Sequence, residues 1–419
     1  MKIQTRRLTY QQVMAFKRPP HRNPLKPHMI FRGLIRMLSI PSLCKTHFSF
    51  TQERMEEVGD KPCLILMNHS SFTDLKIAHG IFYPRPISIV ATTDSYVGKS
   101  LLLRLIGCIE TQKFVSDLQL IRDMSYALHT LKSSVLMFPE AGYSLDGRAT
   151  VLPQHLGVIL KRLKVPVVTV TTYGAFARDP LYNGLQLRKV SVSAKVKCIL
   201  TPEEIAEKPL NELDQMIEDA FRFDQFAWQR DQKIAVREPF RADGLHRVLY
   251  QCADCGTIGE MEGKGIHLTC RRCGKTHELT EYGQLRALEG ETRFAHIPDW
   301  FDWQRAQVEE EIERGEYCLD CEVDIGMLID HKALYMVGTG RLRHDENGYL
   351  LTGCDGALRY EQSVTASHSL NVDYFWYEIG DMISIGTKDA LYYCFPRDRT
   401  VVTRARLAAE ALYRRAKSK

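Results

Sequence analysis

The chain has 419 residues, of which 44% are hydrophobic and 26% are charged. This length predicts two to four domains, and this composition excludes a chain that is disordered throughout. The longest stretches without a charge, such as residues 165–177, are shorter than the 18 or more apolar residues of a membrane-spanning helix, so the sequence predicts no such helix.

The basic charge is concentrated in residues 1–50, which carry ten Lys and Arg side chains and no Asp or Glu. Because the whole chain has a net charge of +5, residues 51–419 sum to −5. Within this leader, His28–Ile40 places apolar side chains on one side at helical spacing, with Arg32 and Arg36 on the other side. Such a helix is typical of a segment that lies on an anionic membrane surface, although a core-packing helix with solvated arginines has the same pattern.

The sequence therefore predicts that residues 1–50 are a basic amphipathic leader that contacts a membrane surface. Lys and Arg runs also neutralise nucleic-acid phosphates. The aromatic residues of the leader, however, do not alternate with its charges as a base-stacking surface would require, and we expect no nucleic-acid partner.

From about Lys61 to Leu200, short apolar runs alternate with segments of helical periodicity. Continuous apolar strands between helices predict an α/β domain whose central mixed sheet is flanked by helices on both faces. Thr201-Pro-Glu-Glu begins a further helix with Pro in its first turn, and Leu210–Arg230 is predicted to end the domain. We assign residues 51–235 to this domain.

The segment Leu64–Asp74 (LILMNHSSFTD) places His69 just after a predicted strand and Asp74 at a predicted helix start. A general base needs an imidazole with one nitrogen free and the other held by an acceptor. A turn between the two residues would let Asp74 reach back to His69. Taken alone, such a pair is more often two solvated loop residues.

A second apolar strand ends in the polar, turn-rich segment Phe138–Ser144 (FPEAGYS), and neighbouring strand ends of this kind meet at the carboxyl edge of a sheet. This segment and Asn68–Asp74 (NHSSFTD) resemble the third and first motifs of the glycerolipid acyltransferases, the lysophosphatidate/glycerol-3-phosphate acyltransferase family. Gly107–Lys113 stands where that family has its second motif, and Gly157–Val170 stands where it has its fourth. The resemblance covers about residues 50–220.

The resemblance implies an O-acyltransferase. His69 would deprotonate a hydroxyl of a glycerol-phosphate or lysophospholipid acceptor, Asp74 would orient His69, and the alkoxide would attack the thioester of acyl-CoA or acyl-ACP. The residues that would bind substrate are Glu140, Lys113, Gly142, Ser144 and Arg148.

Two departures from the family pattern concern the cations that bind the phosphate of the acceptor. Lys113 stands where the second motif usually ends in Arg, and Ala141-Gly142-Tyr143 follows Pro-Glu where the third motif usually has Gly-Thr-Arg. A Lys replaces an Arg only as a point charge, without the bidentate fork. Either Arg148, Lys161 or Arg162 supplies the missing cation, or the acceptor is not lysophosphatidate.

Four of the twelve cysteines form two C-x2-C-G knuckles, Cys252-Ala-Asp-Cys255-Gly and Cys270-Arg-Arg-Cys273-Gly, with fourteen residues between them. This spacing predicts a small zinc ribbon over residues 245–282, with iron as the less favoured metal. Four thiolates complete the coordination shell, so the zinc would be structural. The other cysteines are scattered in apolar surroundings, which is typical of a reducing compartment and predicts a cytoplasmic location.

Residues 283–316 are predicted to be a helical linker with one helix over His296–Gly315. From Glu322 to Phe395, seven short β-type runs are separated by turn residues, and Val402–Arg415 predicts a final helix. Residues 317–419 should therefore form a β-barrel or sandwich capped by a helix, which loosely resembles a pleckstrin-homology or GRAM-type domain.

Three classes of function stay open from the sequence. The first, which we favour because four motifs stand in the family's order, is an acyltransferase attached peripherally to the inner face of a membrane. Its partners would be membrane lipids, a lysolipid acceptor and, if the donor is acyl-ACP, acyl carrier protein. The second is a lipid-binding or scaffold protein that kept the fold and lost the activity. The third is a nucleic-acid-associated protein that uses the zinc ribbon and the leader.

Overall fold

The computed structural model describes residues 2–71, 73–115, 117–398 and 400–418. The helices of this part of the chain are α1 (Tyr10–Met14), α2 (Met29–Lys45), α3 (Asp74–Phe82), α4 (Ser100–Leu105), α5 (Leu118–His129), α6 (Leu156–Leu163), α7 (Ala175–Arg178), α8 (Pro202–Glu207), α9 (Leu210–Phe221), α10 (Gln225–Asp231), α11 (Ile297–Glu313) and α12 (Val401–Ser418). Its strands are β1 (Thr5–Arg7), β2 (Ser49–Glu53), β3 (Leu64–Met67), β4 (Ile87–Thr92), β5 (Ile109–Thr111), β6 (Ser134–Met137), β7 (Val167–Tyr173), β8 (Ser193–Leu200), β9 (Met261–Lys264), β10 (His267–Cys270), β11 (Thr276–Leu279), β12 (Leu285–Ala287), β13 (Leu319–Leu328), β14 (Leu334–Asp345), β15 (Gly348–Gly353), β16 (Leu358–Gln362), β17 (Asn371–Trp376), β18 (Gly380–Gly386) and β19 (Leu391–Pro396).

The apolar runs between residues 49 and 200 form a mixed sheet of seven strands in the order β2-β8-β7-β3-β6-β4-β5. β8 runs antiparallel to β7, while β3 is parallel to both of its neighbours, β6 and β7. The carboxyl ends of β3, β6 and β7 therefore lie side by side at one edge of the sheet. The exposed strand β2 and the three-residue strand β5 carry no apolar run that would predict them.

Alternate residues of the central strand β3 face two different apolar cores. Ile65 and Met67 pack with Ile77 of α3 on one face of the sheet. Leu64 and Leu66 pack on the other face with buried residues of α5, α6 and α9. Burial on both faces explains why the strand is continuously apolar, and it confirms the predicted sheet with flanking helices.

Residues 319–396 form an antiparallel sheet in the order β16-β15-β14-β13-β19-β18-β17, to which β1 adds in parallel to β14. The seven predicted strands and the final helix are confirmed, and Leu407 of α12 lies in the same core as Val323 and Ile383 of the sheet. Among the described residues, no pairing joins β16 to β17, so the sheet is open and the predicted barrel is not observed. The resemblance to a pleckstrin-homology or GRAM-type domain stays a prediction.

A separate antiparallel sheet has the order β12-β11-β10-β9. One cysteine knuckle precedes β9, and the other begins at Cys270, the last residue of β10. Strand β12 lies within residues 283–316, all of which the sequence assigns to a linker. It belongs to the sheet because Leu285 is buried and pairs with Leu279 of β11. The helix predicted in that linker is α11. It places Trp300 and Phe301 in the core that also contains Leu268 of β10.

The leader lies against the folded body, whereas the sequence assigns residues 1–50 to a region of their own. Besides the pairing of β1 with β14, the ring of Phe16 lies 5.2 Å from that of Tyr335. The backbone N–H of His28 donates to the carbonyl oxygen of Leu105 in α4. The leader therefore contacts both the α/β domain and the C-terminal sheet.

Helix α2 packs its arginine side on the α/β domain and exposes its apolar side. Arg32 and Arg36 point toward the α/β domain, where their Nη1 atoms donate to the carbonyl oxygens of Pro84 (2.5 Å) and Gly80 (3.1 Å). The alternative of a core-packing helix with solvated arginines is therefore not observed, because backbone carbonyl groups at and just after the end of α3 bind both arginines. The exposed residues are instead the apolar ones, Met29, Ile30, Leu34, Met37, Leu38 and Ile40. Among the helices of the described residues, none combines the length and the apolar composition that crossing a bilayer requires.

Candidate active site and four-cysteine cluster

His69 and Asp74 meet at the carboxyl end of β3. Asp74 is the first residue of α3, and its Oδ2 accepts hydrogen bonds from the backbone N–H groups of Ser70 (2.9 Å) and Ser71 (3.1 Å). The same Oδ2 lies 3.0 Å from Nδ1 of His69. A carboxylate in this position requires the proton on Nδ1, so Nε2 of the imidazole is left as the acceptor. The turn predicted between the two residues brings them together.

The imidazole of His69 lies between two aromatic rings. The ring centroid of Phe138 lies 4.2 Å from that of the imidazole, and the ring centroid of Tyr143 lies 3.9 Å from it. Both rings are stacked on the imidazole, with interplanar angles of 29° and 25°. The His69 side chain keeps 18% of its surface accessible. Burial lowers its pKa, Asp74 opposes this shift, and the charge of Lys113 adds to it. The imidazole is therefore neutral at neutral pH, as a general base requires.

Glu140 supports the backbone of His69 and does not face an acceptor. Its Oε2 accepts a hydrogen bond from the N–H of His69 at 2.8 Å, and its Oε1 accepts one from the N–H of Thr150 at 3.2 Å. Burial raises the pKa of Glu140 to about 7 although these bonds oppose the shift. Both carboxylate oxygens are bonded to the protein backbone, and the acceptor-binding role implied by the family resemblance stays a prediction.

The loop after β6 is hydrogen-bonded to the loop after β3. The N–H of Ser144 donates to the carbonyl oxygen of His69 at 3.1 Å, and its hydroxyl donates to the carbonyl oxygen of Arg148 at 2.6 Å. Ser144 is therefore bonded to backbone groups and not free for substrate. Gly142 is buried, but no heavy atom lies within 4 Å of the position that a Cβ would take, so open space adjoins the loop there.

Arg148 does not supply the cation that is missing from the third motif. Its Nη1 and Nη2 bind the two carboxylate oxygens of Asp302 at 2.7 and 2.6 Å, and its Nε binds Asp146 at 2.8 Å. Two carboxylates thus neutralise it, and its binding of an acceptor phosphate stays a prediction. Lys161 donates to the carbonyl oxygen of Ala206.

Lys113 lies on the loop that follows β5. Its charge is one of the causes that lower the pKa of His69, after burial. No described residue makes a hydrogen bond or an ion pair with it. The binding of the acceptor by Lys113 stays a prediction.

Asp179 is a polar residue of this region that belongs to no motif used in the sequence analysis. Asp179 follows β7, and its Oδ1 accepts a bond from Ser71 Oγ at 2.5 Å; burial raises the pKa of Asp179 to about 6. Asn68 accepts a bond from the N–H of Thr172 at 2.8 Å. The position of Asp179 beyond a neighbouring parallel strand is the signal that could have found it.

The Sγ atoms of Cys252, Cys255, Cys270 and Cys273 all lie within 4.8 Å of one another. The Sγ–Sγ distances Cys252–Cys273 and Cys255–Cys270 are both 3.8 Å. This equals the edge, about 3.8 Å, of a tetrahedron of thiolates about 2.3 Å from a zinc ion. The glycines after the two knuckles have φ values of +74° and +78°, so the two turns have the same conformation. The donor set fits one tetrahedral metal ion.

Comparisons with known proteins found two similarities. A family model described as Acyltransferase matches residues 47–173, which include His69, Asp74 and Glu140. Among solved structures, the chain is similar to the 1-acyl-sn-glycerophosphate (LPA) acyltransferase PlsC from Thermotoga maritima, with 17% identity and a TM-score of 0.36. That match covers 45% of this chain and 76% of the other. No curated protein matched the chain. Residues 174–419, with the cysteine cluster and the C-terminal sheet, lie outside the family model.

Proposed function

We propose that this protein transfers an acyl group from a thioester, acyl-CoA or acyl-ACP, to a hydroxyl of a glycerol-phosphate or lysophospholipid acceptor. The observation that carries the proposal is the pair His69–Asp74, which lies inside the segment that matches the acyltransferase family. Two backbone N–H groups anchor the carboxylate, so the imidazole is held with Nε2 free to take a proton.

In the proposed reaction, His69 is the one general base that is required. Nε2 of His69 removes the proton from the acceptor hydroxyl as its oxygen attacks the carbonyl carbon of the thioester. The C–O bond of the new ester forms, the C–S bond breaks, and the imidazolium returns the proton to the leaving thiolate. Asp74 stabilises the imidazolium between these steps. Because the acceptor oxygen attacks directly, no acyl-enzyme forms.

The reaction is tested with the purified full chain, palmitoyl-CoA and a lysophospholipid in detergent micelles. We expect free CoA, measured by chromatography, to appear in step with a diacyl product measured by mass spectrometry. Lysolipid binding without thioester consumption would instead support the second candidate, a lipid-binding scaffold. That candidate is favoured by the neutralised Arg148 and by the absence of an arginine after Glu140 in the third motif.

We propose that the four-cysteine cluster holds one structural zinc ion. The spacing of the thiols and the repeated knuckle geometry support zinc, and iron is the less favoured alternative for the same donors. Four thiolates leave no open coordination position, so the ion would stabilise the fold and take no part in acyl transfer.

We also propose that the protein works at the cytoplasmic face of a membrane, where a lipid acceptor resides. Helix α2 supports this, because Met29 and Ile30 are 71% and 70% exposed while the arginine face of the helix is bound to the α/β domain. An exposed apolar helix face of this kind is suited to lie among lipid head groups, parallel to the membrane. The free cysteines fit a reducing compartment.

Replacing Ile30 and Leu38 with serine is expected to lower the affinity for anionic vesicles tenfold or more. Each of these side chains contributes about 1.5–3 kcal/mol when it leaves water completely, so even partial insertion predicts a loss of this size. Sedimentation with vesicles of phosphatidylglycerol and phosphatidylcholine measures it. The matched control replaces Leu187 and Leu288, exposed leucines on other surfaces. Equal vesicle binding by the Ile30→Ser/Leu38→Ser variant and the wild type would remove α2 as the membrane contact.

A further inference from the structure

Ser71, whose backbone N–H helps to anchor Asp74, also bonds to a second buried carboxylate. Its hydroxyl donates to Oδ1 of Asp179 at 2.5 Å. Asp179 follows α7 and lies outside residues 47–173, the segment that the family model matches. The exposed fractions of Ser71 and Asp179 are 0% and 2%, so bulk water does not compete for this bond. One serine therefore connects Asp74 to a residue from another part of the chain.

The charge of Asp179 determines the direction of these hydrogen bonds. Nη1 of Arg178 lies 3.3 Å from Oδ2 of Asp179, and an ionised carboxylate only accepts, so the hydroxyl hydrogen of Ser71 points to Asp179. Oγ of Ser71 then accepts from the N–H of Thr73 at 3.1 Å and from the Thr73 hydroxyl at 2.6 Å. Burial raises the pKa of Asp179 to about 6, while Ser71 and Arg178 oppose the shift. The carboxylate is therefore ionised at neutral pH.

This network fixes the turn that carries Asp74. Thr73 is the N-cap residue of α3, and the N–H of Asp74 donates to the carbonyl oxygen of Ser71 at 3.2 Å. Among the described residues, Asp74 is bonded through Oδ2 and its backbone, and its buried Oδ1 has no partner. The orientation of the carboxylate therefore depends on where the N–H groups of Ser70 and Ser71 lie.

The segment that carries Asp179 is itself held by buried polar contacts. The N–H of Arg188 donates to the carbonyl oxygen of Arg178 at 2.7 Å. Nη2 of Arg188 donates to Oδ1 of Asn183 at 3.0 Å and to the carbonyl oxygen of Arg241 at 2.9 Å. All three arginines are buried. Buried groups of this kind are costly to leave unpaired, so these bonds fix the backbone at Asp179.

Building on the proposed acyl transfer, we propose that Asp179 is a positioning residue for the general base. Asp179 holds Ser71, the N–H of Ser71 holds Asp74 at 3.1 Å, and Asp74 holds His69 at 3.0 Å. No hydrogen bond joins Asp179 to His69 within the described part of the chain, so Asp179 acts through Asp74. A base that is held in one orientation is the more effective one, because no reorientation precedes the reaction.

The test compares the wild type with Asp179→Asn and Ser71→Ala in acyl transfer from palmitoyl-CoA to a lysophospholipid. Asparagine keeps the size of Asp179 and removes its charge, whereas alanine removes the hydroxyl and leaves the pair of Arg178 and Asp179. We expect each variant to lower kcat roughly tenfold, because a hydrogen bond to a charged group is weakened or lost. KM for the acceptor should stay unchanged, since the network does not contact it.

A double-mutant cycle shows whether Asp179 acts through Asp74. In the background of Asp74→Asn, the further change Asp179→Asn should lower kcat by less than about twofold, because the carboxylate that it positions is already absent. A loss of the same size with and without Asp74 would overturn the proposal and leave Asp179 a purely structural role.

A second measurement is independent of turnover. Nitrogen NMR of the full chain with isotopically labelled histidine, with His69→Gln to assign the signal, reports the tautomer of His69. The wild type should have its proton on Nδ1, and Asp179→Asn and Ser71→Ala should each give a mixture of the two tautomers. Wild-type kcat and an unchanged tautomer in both variants would overturn the proposal. If the wild type consumes no thioester, the proposed acyl transfer fails, and the tautomer still decides whether Asp179 orients His69.

The matched control is Asp381→Asn on β18. Asp381 is also buried and paired with an arginine, since its Oδ2 lies 3.0 Å from Nε of Arg247, but it belongs to the C-terminal sheet. We expect this variant to keep the wild-type kcat and the wild-type tautomer of His69. Thermal unfolding of all variants shows whether the fold is retained. An equal loss of kcat in Asp381→Asn would mean that the loss of any buried ion pair has this effect, and would overturn the proposal.

Discussion

Replacing His69 with glutamine is expected to lower kcat roughly 10²–10⁴-fold, the contribution of a positioned general base. Glutamine is polar and of similar size, so it fits between the rings of Phe138 and Tyr143, but it cannot take a proton from the acceptor. KM for the acceptor should change little, because His69 acts on the reacting hydroxyl and not on the head group. The release of CoA at saturating substrate measures the effect.

The matched control is His267→Gln, the same substitution on β10 of the four-stranded sheet, and it should keep the wild-type rate. Thermal unfolding of both variants shows whether the fold is retained. A folded His69→Gln variant with wild-type kcat would exclude His69 as the base and would leave the lipid-binding scaffold as the better description.

The pH dependence separates a base held by Asp74 from a histidine that merely packs in the cleft. Burial lowers the pKa of His69 below its ordinary 6.5, and Asp74 partly opposes this. We therefore expect kcat/KM to have its maximum value at neutral pH. It should fall on acidification only below pH 6.5, as Nε2 becomes protonated. In Asp74→Asn the charge that opposes this shift is absent, so the loss of kcat/KM on acidification should occur at still lower pH. The value of kcat should also fall, because an amide does not hold Nδ1–H and fix the tautomer as the carboxylate does.

The parts of this protein that the sequence predicts are those that local patterns specify. Burial on both faces of the sheet makes β3 and β6 continuously apolar, and the carboxyl ends of parallel neighbours lie together whatever follows them. His69 and Asp74 are five residues apart, so a single turn brings them together. The cysteine knuckles are local turns as well, which is why their spacing predicts the cluster.

The roles that differ from prediction depend on residues far away in the chain. Arg148 carries the charge expected of a phosphate-binding residue, but Asp302 of α11, which follows the family-matched segment by more than a hundred residues, neutralises it. Helix α2 has the predicted apolar stripe, yet the carbonyl groups at the end of α3 decide which face is exposed.

Replacing both Cys255 and Cys273 with serine is expected to abolish zinc binding and to lower Tm by roughly 10 °C or more. Structural zinc contributes about 10–16 kcal/mol to folding in zinc-finger peptides, which is comparable to the total stability of about 5–15 kcal/mol of ordinary domains. A loss of only several kcal/mol gives this shift, at roughly 2–4 °C per kcal/mol for a domain of 150–250 residues.

The effect should reach beyond the four-stranded sheet, because that sheet lies between the α/β domain and α11. Arg241 Nε, in the segment before the knuckles, donates to the carbonyl oxygen of Leu279, and Gln229 of α10 donates to that of Glu281 at 3.0 Å. On the other side, Trp300 Nε1 donates to the carbonyl oxygen of Gln251 at 3.0 Å. When the knuckles lose their ion, these contacts lose their support, so we expect acyl transfer to be lost at the same reduced temperature.

The matched control is Cys318→Ser, an exposed cysteine outside the cluster, which should keep one zinc ion per chain and the wild-type Tm. Metal content measured by mass spectrometry separates the two possible metals: iron in the purified wild type would exclude zinc while leaving the four-thiolate site in place. A metal-free wild type with the same Tm as the Cys255→Ser/Cys273→Ser variant would exclude the site itself. The stability of the four-stranded sheet would then have to come from the apolar core that contains Leu268 and Trp300. Substitutions in that core would unfold the sheet, and substitutions of the thiols would not.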